Sequence, residues 1–232
     1  MPLALQAAAF RCSLMFGAAL LAAWHPSHAG AATATVQDVI AALTHMQARQ
    51  QEADQKYRSL VATLHMDQWM SLSVVLDKKL RTQYRPEVAR AQAGLGEYRQ
   101  ESARLRAQMK QYVGEIAGMD SDGPAFKRAF DAKSAEGEKL SNESLDNDRD
   151  IYTLVVRFYD FLDDPALRYR ISQSKVVFET DADVNRYKAF FTELKRLTTR
   201  ADQFHEIAAK RRADADEKMK ALKRDSARTG NR

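Results

Sequence analysis

The sequence predicts an all-α protein, an elongated antiparallel four-helix bundle of coiled-coil hairpins. Three observations support this class. Of the 232 residues, 45% are apolar and 29% are charged, which supplies enough apolar surface for a core and argues against a disordered polymer. Nine glycines and five prolines are too few for the tight turns of an all-β sandwich. Four segments repeat apolar residues at spacings of three and four, the pattern of long helices packed along a narrow seam.

The first two long helices are predicted from apolar stripes at 39–64 and 88–116. Gln50 is the only strongly polar member of the first stripe, and Ser102 occupies a seam position in the second. Each helix of the bundle should span ~30–45 residues, or on the order of 45–65 Å at 1.5 Å per residue. Short connections then make consecutive helices antiparallel neighbours.

The connection between these two helices has a pattern of its own. Apolar residues within 67–85 predict a short amphipathic helix at the tip, with Ser71 or Ser73 as its N-cap. Further along, three glycines interrupt the second helix at a cost of ~1 kcal/mol each. We interpret them as residues tolerated on an exposed surface rather than as a bend or a close helix crossing: Gly94, Gly96 and Gly114.

Proline is tolerated in the first turn of a helix and disfavoured deeper, so each proline beyond residue 30 is expected at a helix start or break. These prolines are Pro86, Pro124 and Pro165. The third helix carries an apolar stripe over 126–161. We expect it to be well packed at both ends and loose or solvent-exposed between 134 and 150, where Ser144 and Asn147 hold seam positions.

A small β-hairpin is predicted near 168–178, where β-branched and aromatic residues flank a Ser-Gln-Ser turn. The last helix follows, with Asp181 or Asp183 as its N-cap. Its apolar stripe runs over 184–222, and after Ala208 the segment becomes mostly alanine and charged residues. The seam of the last helix is therefore expected to loosen towards its C-terminal end.

Residues 1–29 predict a signal peptide. Arg11 is their only charge, the apolar run over 12–24 has the length of an h-region, and small residues at 27 and 29 fit an A-x-A-like cut after Ala29. The alternatives are cleavage after Ala31 and an uncleaved N-terminal anchor. We expect a periplasmic address. The processed chain then has no cysteine and no later apolar stretch long enough for a transmembrane span.

The positive charge of the chain is concentrated at its C-terminus. We assign 30–208 to a helical bundle domain and 209–232 to a basic helical tail with nine basic and four acidic residues, against a net charge of +5 for the whole chain. Such a tail is typical of a solvated helix end, and it also fits an anionic partner. Nucleic acid is disfavoured by the exported address and by the absence of stacking aromatics in the tail. The predicted contacts are Lys210, Arg211, Arg212, Lys218, Lys220, Lys223, Arg224 and Arg228.

Two patterns are similar to metal sites. His65, Met66 and Met70 supply imidazole and thioether ligands that suit Cu(I), but methionine is a routine core filler, so copper is the weaker alternative to no metal site. Three acids begin like a calcium loop that then lacks the required glycine and glutamate. We expect them on the solvated side of a helix: Asp146, Asp148 and Asp150.

The stretch over 151–204 combines an apolar helix end, an extended element at Ile171 and Val177-Phe178, a polar cap and Tyr187 on a final helix. In this pattern it resembles a family of uncharacterised bacterial cell-envelope helical proteins. The resemblance implies an envelope location and assigns no activity.

No nucleotide-binding or hydrolase motif occurs in the chain, and a narrow apolar seam leaves little room for a polar pocket. We therefore expect no enzyme activity and no cofactor. We predict a periplasmic binding or interaction protein, chaperone-like or an envelope adaptor, whose partner is a protein or an anionic envelope component. The alternative function is a ligand-sensing four-helix bundle. The sequence leaves the oligomeric state open.

Overall fold

The computed structural model describes residues 33–117, 123–172 and 175–229. Within this part the chain forms four long helices, one short helix and a two-stranded antiparallel hairpin, which confirms the all-α class with a small β-hairpin. The elements follow one another as α1 (Thr33–Ala62), α2 (Leu72–Leu76), α3 (Lys78–Ala117), α4 (Gly123–Asp163), β1 (Tyr169–Ser172), β2 (Lys175–Phe178) and α5 (Asp181–Thr229).

The chain divides into two compact units, and each of the four long helices contributes to both. Of the described residues, the first unit contains Tyr57–Glu97 and Ser144–Phe204. The second unit contains 33–56, 98–143 and 205–229. Each unit therefore takes its core from segments that are far apart in sequence.

Large apolar side chains fill both cores. The second unit buries Phe130 together with Leu105, Met109 and Val113. In the first unit the largest fully buried side chains are Trp69, Tyr152, Tyr159, Phe158, Met66 and Ile151. These residues come from the turns between α1 and α2 and from the second half of α4. The first unit therefore holds most of the buried aromatic surface.

The predicted tip helix exists, but it is only five residues long. Ser71 is its N-cap, as one of the two alternatives predicted, because the Ser71 hydroxyl accepts a hydrogen bond from the Val74 N–H at 3.4 Å. Val74 and Val75 are buried, while the two leucines of the helix are exposed. The rest of the 67–85 segment belongs to turns and to the start of α3.

A single residue, Asp77, joins α2 to α3. The Asp77 N–H donates to the Ser73 carbonyl at 3.0 Å, and the Asp77 carboxylate accepts a hydrogen bond from the Lys79 N–H at 2.8 Å. The backbone of Asp77 is extended. Asp77 therefore ends one helix and begins the next.

The prediction that Pro86 marks a helix start is wrong, because α3 begins eight residues earlier and carries Pro86 inside it. The buried side chain of Arg81 stabilises the turns that precede the proline. Its Nη1 donates to the carbonyls of Val74 at 2.7 Å and Val75 at 3.0 Å, and its Nε donates to Asp163 at 2.9 Å. These contacts offset the helix hydrogen bond that a proline removes.

The other two prolines lie at helix boundaries. Pro124 is the second residue of α4, so the predicted start is confirmed. Pro165 follows the end of α4 at Asp163, which confirms the predicted break, and the next helix begins only after the hairpin. A proline therefore marked a boundary only where no tertiary contact continued the helix through it.

The polar stretch of α4 is not loose or solvent-exposed as predicted. Ser134, Ser144, Asn147 and Asp148 are all buried, with Asn147 at 0% exposure. Asn147 Nδ2 donates a hydrogen bond to the Leu197 carbonyl of α5 at 3.1 Å. The buried Asn147 is accommodated because its amide has a main-chain partner on the neighbouring helix.

The hairpin at 168–178 is confirmed, with Tyr169 paired to Phe178 and Ile171 paired to Val176. The predicted cap of the last helix is wrong. Thr180 is the N-cap of α5, since its carbonyl accepts the Val184 N–H and its hydroxyl accepts the Asp183 N–H. Both predicted alternatives for the cap, Asp181 and Asp183, instead lie in the first turn, where the helix dipole favours acids.

An aromatic cluster holds the hairpin against α4 and α5 within the first unit. The ring of Phe158 lies edge-on to Phe190, with 5.4 Å between the centroids. Phe178 of β2 lies 5.9 Å from Phe161 and 5.1 Å from Tyr187. Packing of this kind fixes a two-stranded hairpin that would be only marginally stable alone.

Gly94 permits a close approach of α1 and α3, which corrects the exposed-surface interpretation. A Cβ atom at this position would lie 2.1 Å from the Leu60 Cδ2 atom. The interpretation is confirmed at Gly96, where a Cβ would meet nothing within 4 Å. At Gly114 a Cβ would make only an ordinary contact, 3.9 Å from a Lys127 side-chain atom.

Candidate functional site

A basic groove on α5 is the first candidate site. It is shallow, encloses about 500 Å³ and lies wholly within the first unit. Its lining residues recur at spacings of three and four, so they share one face of the helix. They are Thr192, Lys195, Arg196, Thr199, Arg200 and Gln203.

The groove presents three cations and no acid. Arg196 makes a two-pronged ion pair with Glu193 beside the groove, with N–O distances of 2.8 and 2.6 Å. These hydrogen bonds lower the pKa of Glu193. The Arg200 guanidinium lies 5.3 Å from the ring centre of Phe204. Guanidinium, ammonium and hydroxyl donors on one face can bind an oxyanion such as a phosphate or carboxylate.

A second groove lies between α1 and α3 in the second unit. It encloses about 320 Å³ and mixes charged, aromatic and apolar side chains. Arg49 in this groove donates to Glu101 at 3.0 Å. The lining residues are His45, Met46, Arg49, Leu105, Gln108, Gln111, Tyr112 and Glu115. Its size and composition would suit a small polar ligand.

The predicted basic tail is helical as far as Thr229. Lys210 is exposed, and Arg211 donates to the Glu136 carboxylate of α4. The side chains of the other six predicted contacts lie outside the described part of the structure. The predicted signal peptide at 1–29 also lies outside the described residues. Those six residues are Arg212, Lys218, Lys220, Lys223, Arg224 and Arg228.

The three residues of the copper hypothesis do not lie on one helix, because 63–71 forms turns. Met66 and Met70 are buried in the core of the first unit. The ring Nδ1 of His65 lies 2.9 Å from Glu87 Oε1. In the described residues no group of three or more histidine, cysteine, aspartate or glutamate side chains could hold a metal ion. The methionines therefore act as core residues.

Asp148 is not on a solvated helix face as expected. It is 6% exposed, and burial raises its pKa well above the ordinary value. Tyr152 lies one turn further along α4, where burial and the nearby Asp148 raise the pKa of its phenol. The hydroxyls of Tyr152 and Tyr57 lie 2.8 Å apart. The four-residue spacing from Ser144 through Asp148 to Tyr152 was the signal that could have placed all three on one face.

A buried polar cluster joins α1 to α3 in the second unit. Gln50 Nε2 donates to Ser102 Oγ at 3.0 Å and to Asp54 Oδ1 at 2.9 Å. The Tyr98 hydroxyl donates to the same Asp54 oxygen at 2.7 Å. Gln50 and Ser102 thus occupy the seam positions that the stripes predict, and they face each other between α1 and α3.

Comparisons with family models, with curated proteins and with solved structures find no match for this chain. Among the described residues, no helix combines the length and apolarity that a membrane crossing needs.

Proposed function

We propose that this chain is an exported helical protein that works by binding, and that its last helix holds an anionic, phosphate-bearing partner of the cell envelope. The observation that carries the proposal is the groove lined by Lys195, Arg196 and Arg200, whose lining contains three cations and no acid, with Glu193 beside it pairing with Arg196. The tail of the same helix adds nine basic and four acidic residues by sequence.

The chemistry of the groove favours oxyanions over other ligands. Arginine presents paired N–H donors that match phosphate and carboxylate oxygens, while lysine adds a point charge. Thr199 adds a hydroxyl between Arg196 and Arg200, while the hydroxyl of Thr192 donates to the Lys188 carbonyl of the same helix. Exposed charges of this kind attract anions at low ionic strength and lose that attraction as salt is added.

Binding of fluorescently labelled inorganic polyphosphate, followed by anisotropy, tests this proposal. The triple variant Lys195→Gln, Arg196→Gln, Arg200→Gln should bind at least about tenfold more weakly, a loss of ~1.4 kcal/mol. A matched variant removes the same charge from exposed positions elsewhere: Arg90→Gln, Lys133→Gln, Lys139→Gln. Equal losses in the two variants, or no binding by the unaltered chain, would contradict the proposal.

The exported location is part of the same proposal and has its own test. Mass spectrometry of the protein from a periplasmic extract should find Gly30 at the N-terminus, as cleavage after Ala29 requires. A mature chain that still begins at Met1 would contradict cleavage.

The groove between α1 and α3 favours a second candidate, ligand sensing. A ligand that binds only the folded state raises the midpoint of thermal unfolding. A panel of small carboxylates and amino acids should then contain a compound that raises Tm for the unaltered chain and not for His45→Ala. His45 is exposed at the groove, so this substitution spares the core.

A further inference from the structure

Exposed large apolar side chains are concentrated on two neighbouring elements of the first unit. In the described part of the chain five such residues are exposed, and four of them lie on α2 and the hairpin. The two elements are neighbours, because the Tyr169 hydroxyl of β1 donates to the Val75 carbonyl of α2 at 3.2 Å. We call these four residues the apolar tip: Leu72, Leu76, Ile171 and Val177.

The hairpin exposes apolar side chains on both of its faces. Ile171 pairs with Val176 on the face that also carries Tyr169 and Phe178, and it is 48% exposed. Val177 pairs with Arg170, so it lies on the opposite face because successive residues of a strand alternate. The Phe178 end of the first face packs against α4 and α5, so the exposed apolar part of the hairpin is Ile171 on that face and Val177 on the other. A flat protein surface can cover only one of these two side chains, whereas a lipid interface can surround both.

Cations accompany the apolar tip. The segments 72–79 and 168–179 together contain five basic residues and two acidic ones. All five basic side chains are exposed, and in the described residues none of them forms an ion pair. They are Lys78, Lys79, Arg168, Arg170 and Lys175. Exposed apolar residues next to cations are typical of elements that bind the interface of an anionic bilayer.

We propose that the apolar tip inserts into the headgroup interface of an anionic lipid bilayer. Ile171 and Val177 enter the boundary between headgroups and acyl chains, and the neighbouring lysine and arginine side chains contact lipid phosphates. The leucines of α2 add apolar area beside the hairpin. This surface shares no residue with the groove on α5, so the inference does not rest on anion binding there and shares only the exported location with the proposed function.

Site-specific fluorescence tests the insertion. Protein processed after Ala29 contains no cysteine, so Ile171→Cys and Val177→Cys can each be labelled with an environment-sensitive dye. Ala132→Cys, an exposed site on α4, serves as the control. Protein purified from the periplasm is mixed with vesicles of phosphatidylcholine alone or of phosphatidylcholine with phosphatidylglycerol.

The emission at both 171 and 177 should shift to the blue with the anionic vesicles, and brominated acyl chains should quench it. The control label and the neutral vesicles should give no shift. A shift at only one of the two positions would overturn the proposal, because it would indicate a partner that covers one face. A shift that grows with protein concentration without vesicles would also overturn it in favour of a second copy of the chain.

Substitutions that introduce a carboxylate into the apolar tip provide a second measurement. Ile171→Asp and Val177→Asp should each reduce the affinity for anionic vesicles about tenfold, with circular dichroism confirming the fold. Deletion of 209–232 should leave the blue shift at saturating lipid unchanged, because the tail is not part of the tip. Unchanged vesicle affinity in both aspartate variants would contradict insertion.

Discussion

At the scale of single residues, the burial of Asp148 makes the stability of the protein depend on pH. Burial raises the pKa of its carboxyl above the ordinary 3.8. The native state therefore binds this proton more tightly than the unfolded state, and the stability contributed by the protonated form is lost as pH rises above the unfolded pKa.

Asp148→Asn should remove this loss. We expect the variant to gain stability over the unaltered chain as pH increases from 4 towards 8, measured as the difference in urea midpoints. The half-buried neighbour Asp150 provides the control, since Asp150→Asn removes the same charge from the same helix. A constant difference across this range would show that Asp148 ionises normally in the folded protein.

The pKa of Glu87 is shifted in the opposite direction from that of Asp148. Burial alone would raise its pKa, but hydrogen bonds from the His65 N–H, the His65 ring and the Trp69 indole outweigh burial and lower it. Its contribution to stability is present above the ordinary Glu pKa of 4.5 and is lost as pH falls through the lowered value.

Glu87→Gln should therefore lower stability at neutral pH and flatten the acid limb of the stability profile. Trp69 reports the change directly, because its Nε1 donates to Glu87 at 3.2 Å and its fluorescence senses any change around the indole. Glu97→Gln, an exposed change on the same helix, controls for the loss of one negative charge. An acid profile identical to that of the unaltered chain would show that these hydrogen bonds contribute nothing measurable.

Two glycines of α3 form a natural pair for comparison. Gly96→Ala should stabilise the protein by ~1 kcal/mol, because alanine is the better helix former and nothing obstructs its methyl group. Gly94→Ala should gain less or lose stability, since the Leu60 side chain must rotate away. Thermal unfolding of both variants measures the difference, and equal gains would mean that Leu60 moves without cost.

At the scale of elements, Arg81 ties three helices together. It is 3% exposed and bonds the carbonyl end of α2 and the last residue of α4. Arg81→Met should lower the free energy of unfolding by about 3 kcal/mol, because it leaves a partly buried carboxylate and two carbonyls with fewer partners. Arg85→Met is the matched control. Its more exposed ion pairs with Asp160 and Asp163 should contribute at most ~1 kcal/mol in a urea titration.

The long helices could be predicted from the sequence because apolar periodicity is a local property. The errors arose where tertiary contacts decided the outcome. Arg81 supports the turns before Pro86, and Asn147 finds a carbonyl on α5, so neither the proline nor the polar stretch had its usual effect. The predicted cap of α5 was wrong because aspartate and threonine are both favoured N-cap residues, and Thr180, one position earlier, makes the capping hydrogen bonds.

At the scale of the whole molecule, the charge is unevenly distributed along the chain. Residues 30–208 are close to neutral, and 209–232 carries the excess of basic side chains. The sequence therefore predicted which helix holds the cations. It did not predict the groove over 192–203, because apolar periodicity identifies core positions and the groove is a stripe of polar residues at the same helical spacing.

This distribution predicts how salt affects binding of a polyanion. The affinity of the full chain for polyphosphate should fall as sodium chloride increases, and the chain that lacks 209–232 should show a shallower dependence. Anisotropy titrations at several salt concentrations measure both slopes. Equal slopes would mean that the tail makes no contact with the polyanion.

The one-residue junction at Asp77 constrains how the length of this chain can vary. One inserted or deleted residue there would rotate α2 by about 100° about its axis, because each helical residue turns the chain by that angle. Val74 and Val75 would then leave the core, and the leucines on the other side of α2 would turn towards it. Homologous chains should therefore keep the spacing between Ser71 and Arg81 invariant.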